Sequence, residues 1–169
     1  MKKLLCLLIC LTLPLAALAE VAPLSAEDFE LTVGETVYRL GEDAAALVEA
    51  LAALTGEPLS KTETVSCMFD GMDREFANDA VLVGTYPIGA DKSDVVESVM
   101  VLTDALATAR GAVTGMTKEE VEALYGTDYF LDWNQMIYSQ GVLEPQLIFT
   151  LDLDTGAVVS WMLLRNTVV

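Results

Sequence analysis

The chain has 169 residues, 53% of them hydrophobic, with 26 acidic side chains against 9 basic ones and a formal net charge of −17. A surface that acidic repels the phosphates of nucleic acids and anionic lipid headgroups, and it attracts cationic partners and divalent ions loosely. Histidine is absent, which removes Ser-His-Asp triads, Cys–His pairs and every His-containing zinc site.

The first residues, Met1-Lys2-Lys3, are basic, and Leu4 to Ala19 then runs almost without a polar side chain before Glu20. With small residues at Ala17 and Ala19, this is the pattern of a secretory signal peptide cut after Ala19. The apolar run is shorter than the roughly 18–20 residues that a membrane span needs. No integral span is therefore expected after cleavage. Cys6 and Cys10 lie in this segment. Ile9 precedes Cys10, and the apolar stretch before it is too short for a lipobox, so a lipid anchor at Cys10 is disfavoured. Cys67 is then the single cysteine of residues 20–169, and stability must come from a packed core rather than a disulfide.

Residues 20–28 form a polar leader containing Pro23, expected to fray. Phe29 to Val33 alternates apolar and polar residues, Gly34-Glu35 makes a two-residue turn, and Thr36 to Leu40 returns as a second strand. A helix is predicted from about Gly41 through Thr55, with Leu47, Val48, Leu51 and Leu54 on one face; Gly56 and Pro58 stop it. Four strands follow: Thr62 to Phe69, Arg74 to Asn78, Ala80 to Val83 with a continuation to Tyr86 left open, and Val95 to Thr103 with Val95, Val99 and Val101 inward.

Gly115-Met-Thr-Lys-Glu-Glu-Val121-Glu-Ala-Leu-Tyr-Gly126 is the best-specified local element. Thr117 and Glu120 form a capping box, Met116 and Val121 a hydrophobic staple, and Gly126 a stop. Strands are then predicted at Tyr129–Trp133, Gln135–Ser139, Gln146–Leu153 and Ala157–Leu164, the last two joined at Asp154-Thr155-Gly156. One helix followed by about four short strands thus occurs twice, with helix starts roughly 75 residues apart, too long a period for a solenoid. The expected fold is α+β: two tandem modules, residues 29–104 and 105–169, each with one helix packed on a small antiparallel sheet.

Motif searches favour structural readings. Asp154-Thr155-Gly156 matches an aspartic-protease triplet, but that chemistry needs two converging carboxylates, and a hairpin turn explains these residues. Asp152-Leu-Asp154-Thr-Gly156 begins like a calcium loop yet has Gly156 at the fifth position and Leu163 at the twelfth. Cys67-Met-Phe-Asp70-Gly71-Met-Asp73 reads as a buried cysteine before an Asp-Gly turn. Gly84 to Ser93 fails as a phosphate loop because Ala90 and Asp91 separate Gly89 from the lysine. No cofactor and no metal ligands are expected. The remaining candidates are aromatic: Phe69, Tyr86, Trp133, Tyr138 and Trp161, on or beside strands, either core or an outward protein-binding patch.

At Gly115–Gly126 the chain resembles the SmpA/OmlA (BamE-like) module, and its tandem arrangement is similar to beta-lactamase-inhibitory protein, which pairs two helix-plus-sheet units around a concave binding face. Cys67–Asp73, Thr85-Tyr-Pro87 and Val101–Asp104 are similar to uncharacterised envelope-exported proteins of clostridial gut bacteria. These resemblances imply a fold and an extracytoplasmic location but no activity. The missing lipobox departs from the BamE-like pattern. The expected function is a non-enzymatic, exported protein-binding module with another exported or envelope protein as partner. The alternatives are a small-ligand or ion-binding module, and a carboxylate-based hydrolase using Asp70 and Asp73 or Asp152 and Asp154.

Overall fold

A computed structural model describes residues 21–88, 91 and 93–167. The expected cleavage site after Ala19 and the cysteines Cys6 and Cys10 lie outside the described residues. Among the described residues no helix is long and apolar enough to cross a membrane.

A short 3-10 turn, Ala26–Phe29, leads into a hairpin of β1 (Glu30–Val33) and β2 (Thr36–Arg39), followed by helix α1 (Ala45–Thr55). Strands β3 (Ser60–Val65), β4 (Met72–Ala77), β5 (Val81–Ile88) and β6 (Ser93–Val101) come next. Helix α2 (Lys118–Tyr125) then precedes β7 (Phe130–Asp132), β8 (Gln135–Ser139), β9 (Gln146–Leu151) and β10 (Val158–Leu164). The local signals of α2 operate as read. Thr117 Oγ1 accepts from the Glu120 N–H at 3.3 Å, and Glu120 Oε2 accepts from the Thr117 N–H at 2.8 Å. Helix α1 starts later than predicted because Gly41 to Ala44 runs alongside β6 instead. The Gly41 N–H donates to Val96 O, the Val96 N–H to Glu42 O, and the Ala44 N–H to Asp94 O.

The two-module expectation is overturned. The eight strands β3–β10 form one antiparallel sheet in the order β3-β4-β5-β6-β10-β9-β8-β7. The joint is β6 against β10, with Val101 opposite Trp161 and Val99 opposite Leu163. Two separate four-stranded sheets would leave two further strand edges unpaired, and those edges belong to the most apolar strands of each half; pairing them satisfies their backbone groups and hides both. The outer strands suit their position. Every residue of β3 and of β7 is exposed, β3 carries Lys61 and Glu63, and β7 is only 3 residues long.

One face of the sheet is covered by α1, α2, the β1–β2 hairpin and the connector through Leu106 and Ala112. Leu31, Leu47 and Leu51 from the first half join Val121, Tyr125, Tyr138, Phe149 and Trp161 from the second in one continuous core. The alternation of β6 departs from the expected inward set because a β-bulge falls between the Gly84 and Thr85 pairings. One extra residue at Glu97 shifts the strand's two faces, so Val96, Val99 and Val101 are buried while Val95 is only half-buried. Residues 22–28, expected to fray, are held in place by Arg110, whose guanidinium donates to Ala22 O, Pro23 O and the Asp28 carboxylate.

Candidate interaction face

Among the described residues the sheet's other face carries no helix. Across it runs a single row of directly opposed apolar side chains: Leu82 beside Met100, Met100 beside Met162, Met162 beside Ile148, Ile148 beside Ile137, and Ile137 beside Phe130. These residues belong to six adjacent strands and none belongs to the core on the helix side. With strands ~4.8 Å apart, the stripe is about 24 Å long. Polar rows flank it. On one side Ser160, Thr150, Gln135 and Asp132 stand opposite one another, and on the other Gln146 and Ser139 pair beyond Leu164 and Ser98. Phe130 at the end of the stripe is 68% exposed.

Beside the β5–β6 end of the stripe is a cavity of about 330 Å³ whose lining includes Asp73, Arg74, Glu75, Tyr86, Glu97 and Ser98. Its floor is shaped by Gly84, where a Cβ atom would sit 2.6 Å from Ser98 Oγ. Glu97 is committed within the chain: its carboxylate accepts from the Thr167 N–H at 2.9 Å and the Thr167 hydroxyl at 2.5 Å. Asp73 Oδ1 is buried and has no hydrogen-bond partner among the described residues. Burial first, and then the negative charges of Glu97 and Asp73, push the Tyr86 phenol above its ordinary range. Among the described residues no group of three or more His, Cys, Asp or Glu side chains is placed to hold a metal ion.

The five aromatic candidates separate into three environments. Phe69, from the β3–β4 loop, packs with ring centroids 5.2 Å apart on Tyr86, which lines the cavity. Tyr138 and Trp161 are fully buried on the helix side. The Tyr138 hydroxyl donates to Gly126 O at 2.8 Å, and Trp161 Nε1 donates to Leu106 O at 3.4 Å. They are core, with no surface to offer a partner. Trp133 is 81% exposed at the β7–β8 turn, and its φ of +52° is the left-handed region that a bulky side chain rarely adopts. Asn134 fastens that turn, exchanging hydrogen bonds with Leu151 at 2.6 and 2.8 Å.

Of the carboxylates weighed for hydrolysis, Asp152 serves its own turn. Its Oδ1 accepts from the N–H and hydroxyl of Thr155, both at 2.8 Å, and from the Asp154 N–H. The bond from the Thr155 N–H is the leading cause that holds this carboxyl below its ordinary range. Asp154 and Asp70 are exposed. Cys67, expected to be buried, is an exposed free thiol, because β3 ends at Val65 and leaves Ser66–Gly71 as a loop. The stripe's signal was present in the sequence as unbroken apolar runs, such as Val81-Leu82-Val83 and Leu147-Ile148-Phe149. Continuous apolarity on a strand means that both faces are apolar.

No protein-family model matches the sequence, and no curated protein matches it. Among solved structures the chain is similar to the uncharacterized protein YfeY from Escherichia coli. That likeness has 16% identity and a TM-score of 0.46 over 80% of this chain and 97% of that chain.

Proposed function

We propose that this protein is a non-enzymatic, exported binding module that engages another exported or envelope protein through the open face of its sheet. The observation that carries the reading is the stripe Leu82–Met100–Met162–Ile148–Ile137–Phe130, an apolar band on the sheet face opposite the helices, with Phe130 exposed, Ile148 buried and the other four half-buried. Apolar rows of this length with polar margins are the usual make-up of a protein interface, with a hydrophobic centre and a wetter rim. Export is supported by the leader read from residues 1–19.

A photo-crosslinking amino acid placed at Ile137 in the stripe, or at Glu49 on α1 as control, tests the reading in the native host. A discrete crosslinked partner at Ile137 and none at Glu49 is the expected result. Equal labelling at both positions contradicts it. The cavity at Asp73 and Tyr86 favours one second reading, a small cationic ligand, which titration calorimetry with simple diamines would detect as binding lost in Asp73→Asn.

A further inference from the structure

We infer that the occupant of the open face is a positively charged amphipathic segment of the partner, an α-helix of about 16 residues whose apolar side lies on the stripe and whose Lys or Arg reaches the Asp73–Glu75 cavity. This rests on the binding role proposed above and adds the partner's chemistry.

Three observations carry it. The first is charge complementarity. The strand residues that share the open face with the stripe include Asp73, Glu75 and Asp132, whereas the strand cations Lys61 and Arg74 stand opposite Phe76 and Thr85, on the helix side. Arg74 also lines the cavity, but its guanidinium is held by Glu63 and Asp94, so among the described strand residues no base pairs with Asp73, Glu75 or Asp132. A second copy of this chain would bring the same acids against them, and so would a nucleic acid or an anionic membrane.

The second observation is position. Gly84 and Ser98 line the cavity and lie two residues along their strands from Leu82 and Met100. That step is about 7 Å, within the reach of a lysine or arginine anchored over the stripe. The third is Asp73 Oδ1, an acceptor without a partner among the described residues, which a cationic N–H donor would satisfy in a charge-assisted hydrogen bond. Glu97, already bonded to Thr167, shapes the negative potential around Tyr86 without needing a donor. The stripe's length of about 24 Å sets the segment at roughly four helical turns.

The test uses residues 20–169, which contain every described element, and three labelled 16-residue helical peptides read by fluorescence anisotropy. One carries an apolar side flanked by lysines, one the same apolar side flanked by glutamates, and one the lysine composition with its apolar positions scrambled. The lysine peptide is expected to bind, and the other two are expected to bind at least about tenfold more weakly. Asp73→Asn combined with Glu75→Gln weakens the lysine peptide by about tenfold, as does raising salt from low to high ionic strength. Met100→Ser combined with Met162→Ser, checked for an unchanged melting temperature, also weakens it. If the glutamate peptide binds as well as the lysine peptide and the serine variant loses both, the face binds partners but the cationic assignment is overturned. If the serine variant binds every peptide as the parent does, the face itself is not the site and both conclusions fall. If no peptide binds, the cationic helix is rejected, and crosslinking at Ile137 decides the face separately.

Discussion

Asp28 and Arg110 stand 82 residues apart in the chain and meet as a two-point ion pair, Nε to Oδ1 and Nη2 to Oδ2, both at 2.7 Å. Asp28 is 3% exposed and the Arg110 side chain 18% exposed, so the pair is largely withdrawn from water. The same guanidinium lies 4.9 Å from the Tyr125 ring centroid. One side chain thereby ties residues 22–28 to the C-terminal end of α2.

Removing one partner of a buried pair leaves the other charge uncompensated. Arg110→Ala is expected to destabilise the protein by about 3 kcal/mol, measured by urea unfolding, with protease cleavage appearing first near residues 22–28. Unchanged stability would mean the pair is replaceable by water.

The same pair sets a pH dependence. Burial would raise the Asp28 carboxyl, but the Arg110 guanidinium and the Ser25 N–H together outweigh it and hold the group below its ordinary value. A depressed carboxyl contributes stability that is present above its unfolded pKa and is lost as pH falls through the lower folded value. Unfolding free energy should therefore drop in the acid range below about pH 4. Asp28→Asn should be less stable at neutral pH and show a shallower acid loss; parallel curves for the two proteins would remove Asp28 from the account.

Trp133 is a trade between stability and surface. Its φ of +52° falls at the first central position of a two-residue hairpin turn, where glycine is favoured. Trp133→Gly is expected to stabilise the fold by about 1 kcal/mol, seen as a higher melting temperature. A lower melting temperature would show that the exposed ring contributes packing that its 81% exposure does not suggest.

Alkaline titration reports on the cavity. The difference between the parent protein and Tyr86→Phe isolates one phenol, which should ionise above the ordinary range of a tyrosine. Adding Asp73→Asn should move that step downward, since a nearby negative charge opposes phenolate formation. An unmoved step would place Asp73 outside the field of Tyr86.

Much of the local structure was legible because its signals are local: the capping box at Thr117 and Glu120, the hairpin at Gly34, and strand alternation in Gln135–Ser139. The joining of the sheet was not, because the Trp161–Val101 pairing links residues far apart in the chain and has no local signature. A compositional trace existed all the same. Val95–Val101 and Val158–Leu164, the last strands of each half, are far more apolar than Ser60–Val65, which marks them as central and the first as an edge. The bulge at Glu97 left no such trace, and it moved Val95 away from its expected face. Aromatic residues drew attention to Tyr138 and Trp161, which a hydrogen-bonded core holds, while the aliphatic and methionine stripe that defines the open face was hidden within runs read simply as strands.

The single-sheet architecture makes a further prediction. Residues 29–104 or 105–169 expressed alone would expose β6 or β10 as an unpaired apolar edge, so neither half should show a cooperative melt, and Trp161 emission in the second half should shift to longer wavelength. Independent folding of either half would contradict the continuity of the core.

The most direct measurement of the binding role is partner capture from the exported fraction of the native host by the parent protein and by the Met100→Ser, Met162→Ser variant, at matched folded concentration. Open-face recognition predicts that a discrete partner is retained by the parent and reduced by about tenfold or more with the variant. Equal retention by both proteins would contradict it.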